Sequence, residues 1–356
     1  HMVMPSGPTE MRGGRGRGAF GGGRDNPTFY ADMNFVEIAT TGNGQDFGDM
    51  DAAKNGILGG TASSTRGIVA GGYVGSPGAV VSTIIYYTSS SAGGANDFGE
   101  LTAANNQPAG ASNNRLAIIA GEYPSYKQRS LQFITIATTG DATLFGDLVS
   151  TDIGSGGISS PTRGIIHGID RNPATLKMTQ FFEIATKGNA QEFGELLVVA
   201  SSGTGFSNGI RGIVAGGSPH LADIQAVNMV TLGDAANFGD LTAGRGNFTG
   251  LCSSTRGVFA GGTNPGNNII DFVTIASAGN ATDFGDMIDA NSGAMSSTSN
   301  NIRGVIAGGD QQPANYFVNT MQHITIATTG NAQDFGDMLT GGAYRNMTSD
   351  SHGGLE

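Results

Sequence analysis

The chain has 356 residues, 60 of them glycine, no tryptophan, and a formal net charge of −11. The glycines follow no strict three-residue period, which excludes a collagen-like chain, and 38% hydrophobic content gathered in short β-rich runs argues against disorder. The acidic balance argues against a nucleic-acid binder, and the single cysteine, Cys252, excludes an internal disulfide framework and a cysteine-based zinc cluster.

From the start of the chain, residues 1–11 read as an N-terminal tail. His1-Met2, like Leu355-Glu356 at the other end, looks like a cloning scar. No signal peptide is visible, and no apolar run approaches the roughly 18 residues of a membrane span. Residues 12–354 read as one domain built from seven copies of one unit.

Two pieces alternate along that domain. The first is Arg-Gly, an apolar run, then Gly-Gly. It starts at Arg17, Arg66, Arg211, Arg256 and Arg303, with degenerate copies at Arg115 and Arg163. The second is a β-branched stretch ending in Phe-Gly-acid. Its phenylalanines are Phe47, Phe98, Phe145, Phe193, Phe238, Phe284 and Phe335. In the copy from Arg245 to Met287, the pattern predicts a first strand over 247–252, a turn at Ser253-Ser254-Thr255, and a second strand over 256–260 ended by Gly261-Gly262. A third strand follows over 269–276, a turn at 279–281, and a short fourth strand over 283–287. Four strands per unit of 40–50 residues predicts an all-β, seven-bladed β-propeller with four-stranded antiparallel blades.

These units resemble the kelch repeat. The Gly-Gly pairs match, Phe stands where kelch blades carry Trp, and the third-strand aromatic is patchy. Stretches such as TIATTGNAQDFGDM and SSTRGVFAGG are also similar to virion-associated repeat proteins of marine tailed phages. That resemblance implies a virion-associated structural or host-recognition part, located in the virion or in the host cytoplasm during assembly.

Only a tail precedes Arg17, so the first copy begins at its second strand. The last copy runs on past Asp337, far enough for one more strand near residues 343–350. That strand is expected beside Arg17–Gly21, completing the first blade from the C-terminus. The entropy of closing so long a loop grows only slowly with its length.

Several motifs reduce to scaffold. Gly16 to Gly21 matches GxGxxG but lacks the flanking strand and helix of a dinucleotide site. Arg12 and Arg15 are too few for an RGG-type nucleic-acid tract once Arg17 is assigned to the repeat. The fourfold Asp-Phe-Gly has none of the kinase partners.

The repeat arginines Arg17, Arg66, Arg115, Arg163, Arg211, Arg256 and Arg303 are matched in number by the acids Asp49, Glu100, Asp147, Glu195, Asp240, Asp286 and Asp337. Because guanidinium and carboxylate pair bidentately, the two sets are expected to form structural ion pairs in or between blades. No nucleophile–His–acid set, metal cluster or cofactor motif is visible. The chain is therefore read as non-enzymatic, with no cofactor, no metal, no nucleic acid and no membrane insertion. Binding is expected on the variable loops after the Gly-Gly strands, where Tyr73, Tyr123, Tyr126, His220, Asn264 and Gln311 are the candidates. Such side chains suit hydrogen bonding and stacking on a host-surface glycan or a protein partner in a virion. A free carbohydrate-binding lectin and a glycan-processing propeller enzyme are the alternatives.

Overall fold

The computed structural model describes residues 16–350 except 26, 57–60, 76–77, 107, 121–128, 151–155, 168–169, 172–173, 176, 201–202, 264–265, 292, 294 and 312–315. The chain is all-β and built from repeated antiparallel sheets. We number the sheets 1–7 in the order of their second strands: Arg17–Gly21, Arg66–Ala70, Leu116–Ala120, Arg163–His167, Arg211–Ala215, Arg256–Ala260 and Arg303–Ala307. The third strands are Asp32–Glu37, Thr83–Thr88, Ser130–Thr135, Met178–Glu183, Asp223–Asn228, Asn267–Thr274 and Thr320–Thr325. The fourth are Gln45–Asp49, Asn96–Glu100, Thr143–Asp147, Gln191–Glu195, Ala236–Asp240, Thr282–Asn291 and Gln333–Asp337.

The first strands of sheets 3–7 are Ala109–Ser112, Gly156–Ser159, Thr204–Ser207, Thr249–Cys252 and Ser296–Ser299. Sheet 1 takes its first strand, Asn346–Ser349, from the C-terminus, where it pairs antiparallel with Arg17–Gly21 as expected. In sheet 2, residues 57–60, just before the expected first-strand end, lie outside the described residues. Among the described residues that sheet has three strands and a single bridge from Ala62 to Gly67.

The second strands are apolar without alternation because both of their faces are covered. Val69 packs into a cluster with Ala19, Phe35 and Phe47 of sheet 1, while its neighbours Ile68 and Ala70 pack with Ala117, Ile119 and Ile134 of sheet 3. Such clusters lie between each sheet and the next. One also joins sheet 7 to sheet 1, through Val305, Met321 and Phe335 against Phe20, Val36 and Met347.

The Phe-Gly signature is a β-bulge. Met33 faces Gly48 and Asn34 faces Asp46, so Phe47 has no partner residue across the ladder. The extra residue turns the ring inward, where it is buried. Gly48 has φ +110°, and a Cβ there would lie 2.3 Å from the Gly94 nitrogen of sheet 2, so glycine is required twice over. The close approach carries hydrogen bonds. The turn before each fourth strand donates to the phenylalanine carbonyl of the preceding sheet: Gly93 to Phe47, Gly140 to Phe98, Gly188 to Phe145, Gly233 to Phe193, Gly279 to Phe238, Gly330 to Phe284, and Gly42 to Phe335.

Candidate functional site

The arginines and the acids of the repeat do not pair as expected. Arg17 lies opposite Glu37 at one end of the third strand, whereas Asp49 lies opposite Asp32 at the other, roughly 16 Å away at strand rise. Six of the seven arginines instead donate to backbone at the end of the next sheet's third strand. Arg17 Nη1 reaches Ser89 O, Arg66 reaches Ile136 O, Arg163 reaches Met229 O, Arg211 reaches Ile275 O, Arg256 reaches Ile326 O and Arg303 reaches Ile38 O, at 2.9–3.3 Å. Four of them stack on a third-strand ring on the way: Arg17 on Phe35 at 4.0 Å, Arg66 on Tyr86, Arg163 on Phe181, and Arg256 on Phe272 at 4.1 Å. Where a carboxylate does pair with a repeat arginine, it belongs to the third strand: Glu37 with Arg17 and Glu183 with Arg163.

Arg115 is not a member of this set. Leu116 faces Thr135 in the register in which Arg256 faces Thr274, so the arginine has slipped one residue into the turn. Lys187 of sheet 4 takes over the ring that is left, its Nζ 3.9 Å from the Phe133 centroid.

The acids keep exposed carboxylates and use their backbone. Glu100, Asp147, Glu195, Asp240, Asp286 and Asp337 donate N–H to Asp141, Asn189, Asp234, Asn280, Asn331 and Asn43 of the following sheet. A further set was not anticipated from sequence. Buried third-strand residues Asn34, Gln132, Gln180, Gln225, Asp271 and Gln322 accept N–H from Leu339, Thr102, Val149, Leu197, Thr242 and Ile288 of the preceding sheet. A polar residue recurring inside the third strand of every sheet but sheet 2, where Ile85 stands, is the signal that marks them.

Of the loop candidates, Tyr123, Tyr126 and Asn264 lie outside the described residues. His220 is exposed, has φ +80°, and follows a cis Ser218-Pro219 bond. Gln311 starts from the short Asp310–Gln311 strand and donates to Asp289 Oδ1 at 3.3 Å. These two do not meet Tyr73.

Tyr73 belongs to a cluster assembled from four segments. The loop after the second strand of sheet 1 is a hairpin of Arg24–Asp25 with Thr28–Phe29. The equivalent loop of sheet 2, Tyr73–Val74 with Ala79–Val80, also pairs with Lys54–Asn55 on the way out of sheet 1. The Phe29 and Tyr73 rings stand 6.0 Å apart. Arg24 bridges to Ala343 and places its guanidinium 4.9 Å from the Tyr344 ring. Arg345, buried and paired with Asp32 at 3.3 Å, lies 5.5 Å from the Tyr30 ring. Phe29, Tyr30, Tyr73 and Tyr344 are all partly exposed, with the exposed Asp25 among them. Burial, reinforced by the charge of Asp25, raises the Tyr30 phenol above its ordinary value, so its hydroxyl stays protonated. The result is a surface of amphipathic rings flanked by guanidinium and carboxylate groups. The sequence pointed to Tyr73 alone, because its partners come from a loop of the first copy and from the C-terminal extension.

His167 and Cys252 carry no such surface. His167 stands where five of the other six second strands end in alanine, and complete burial pushes its imidazole down to about 4. The Cys252 thiol, pushed up to about 12 by burial, points at Ser207 O at 3.8 Å. Among the described residues no group of three or more His, Cys, Asp or Glu side chains could hold a metal ion, and no helix is long and apolar enough to cross a membrane. No protein-family model matches the chain, and no curated protein is significantly similar to it.

Proposed function

We propose that the seven sheets are blades of a closed, kelch-like, seven-bladed β-propeller, and that the chain is a non-enzymatic recognition module carried on a phage virion. The closed ring is supported by the bonds from sheet 1 to sheet 7, which repeat those at the other joints: Gly42 N to Phe335 O, Leu339 N to Asn34 Oδ1, and Arg303 Nη1 to Ile38 O. The ligand class is a host-surface glycan. The observation that carries it is the surface of Phe29, Tyr30, Tyr73 and Tyr344 beside Arg24 and Asp25. Rings with one apolar face suit the C–H face of a sugar, and the charged groups supply directional hydrogen bonds to its hydroxyls.

Glycan-array binding by the chain, and by Tyr73→Ala and Tyr344→Ala, tests this. Glycan binding that both substitutions abolish is expected; binding untouched by either would move the site elsewhere. Mass spectrometry of purified virions separates a virion part from a free lectin. Turnover of a glycan panel by the chain would overturn the non-enzymatic assignment.

A further inference from the structure

The cluster of rings contains two guanidinium groups, and they are in different states. That of Arg345 is engaged. It is buried, pairs with Asp32 at 3.3 Å and donates to Thr340 O at 3.1 Å. Lys54, fully buried on the way out of sheet 1, is likewise engaged by Asp51 at 2.9 Å. Arg24 is not. It is half-buried, no carboxylate or carbonyl among the described residues accepts from its guanidinium, and its Nε is buried without a partner. Elsewhere the half-buried and buried arginines have acceptors: a backbone carbonyl for six of the repeat set, and Asp271 for Arg245.

The backbone fixes where this cation stands. Arg24 N–H donates to Ala343 O and Ala343 N–H to Arg24 O, both at 3.0 Å, and the neighbouring Gly23 N–H donates to Lys54 O at 2.9 Å. The guanidinium then lies 4.9 Å from the Tyr344 ring. Across the hairpin Arg24 faces Phe29, so these two side chains share one face of it. The Phe29 ring in turn stands 6.0 Å from that of Tyr73. Asp25 faces Thr28, and strand alternation turns its carboxylate to the other face, where its charge helps to raise the Tyr30 phenol. One unpaired positive charge is thus left beside a pair of rings.

We propose that the glycan bound here is acidic: Arg24 takes the carboxylate of a sugar acid whose ring lies on Phe29 and Tyr73. This deepens the glycan reading above and rests on it. A half-buried cation without a counter-charge has lost part of its hydration and gained no partner. A carboxylate in the guanidinium fork supplies one, through two parallel charge-assisted hydrogen bonds. One uncommitted charge matches the single negative charge of a carboxylate rather than the higher charge of a phosphate monoester.

A glycan array of matched pairs, each acidic glycan beside its carboxyl-reduced alcohol, tests this with the full chain. The acid is expected to bind on the order of tenfold or more tightly than the alcohol, and the ratio to fall towards one in Arg24→Gln. Raised salt should shrink the same ratio. Acid and alcohol bound alike, with both lost in Tyr73→Ala, overturns the carboxylate and leaves the glycan site standing. Sulfated glycans bound in preference to carboxylated ones overturn it too. An undiminished ratio in folded Arg24→Gln removes Arg24 from the assignment. If that variant does not fold, Arg24→Lys, which keeps the charge and loses the fork, takes its place, and an unchanged ratio has the same meaning. No glycan bound at all overturns the glycan reading, and the acidic ligand with it.

Discussion

Asp350 caps Arg17 from the far end of the chain. Its Oδ1 accepts the backbone N–H of Arg17 at 2.8 Å and of Gly16 at 3.0 Å. Every sheet uses such a cap at the turn before its second strand: Ser63, Asn113, Ser160, Asn208, Ser253 and Asn300 do the same work for residues two and three positions further on. In sheet 1 alone, cap and capped residue lie 333 positions apart.

Asp350→Ala is therefore expected to destabilise the fold by about 1–2 kcal/mol, because it leaves two N–H groups without an acceptor. Asp350→Asn should be nearly neutral, since asparagine caps three other sheets. Denaturant unfolding of the two variants checks the difference, and equal losses would show that charge rather than capping matters.

Arg256→Ala is expected to cost about 2 kcal/mol or more. It removes a bond to Ile326 O and the stacking on Phe272. Asp286→Ala should stay within about 0.5 kcal/mol, because its side chain is exposed and the joint uses its backbone. Thermal melts of the pair discriminate: matching losses would restore the ion pairing expected from sequence.

His167 makes stability depend on pH in a definite direction. Its folded value of about 4 lies below the ordinary 6.5, so above pH 6.5 it is neutral in both states and adds no pH dependence. As pH falls from 6.5 towards 4, the unfolded chain takes up the proton and the folded chain does not, so stability is lost by up to about 3 kcal/mol. His167→Ala, which installs the residue found in most other sheets, should flatten the pH profile in that window. An unchanged slope would assign the acid sensitivity to other groups.

Cys252 should react with a thiol reagent no faster than the protein unfolds, since its thiol is buried and its pKa is pushed up to about 12. Cys252→Ser should fold with little change in stability, because serine holds this position in sheets 3, 4, 5 and 7 and in the C-terminal strand of sheet 1. Labelling kinetics across a denaturant series check the first point, and fast labelling of the native chain would contradict the burial.

Much of the architecture was legible in the residues. The Arg-Gly run, the Gly-Gly stop and the Phe-Gly-acid ending each encode a local event: a strand, its end and a bulge. The C-terminal strand expected over 343–350 is found at Asn346–Ser349. The partners of the repeat arginines were not legible. Seven arginines beside seven acids suggest ion pairs, but the acceptor is a backbone carbonyl, which leaves no mark on the side-chain sequence. The slip at Arg115 was hidden for a related reason: only the pairing of Leu116 with Thr135 reveals which residue occupies the strand position.

By itself, then, the sequence determined the repeated unit, its strand order and the borrowed strand of sheet 1, because hydrophobic period and turn chemistry act over a few residues and recur in each copy. Only the tertiary structure decided how neighbouring sheets lock together and which side chains share a surface. Those outcomes depend on backbone groups common to every residue, and on juxtapositions such as Arg24 with Tyr344 that no local pattern encodes.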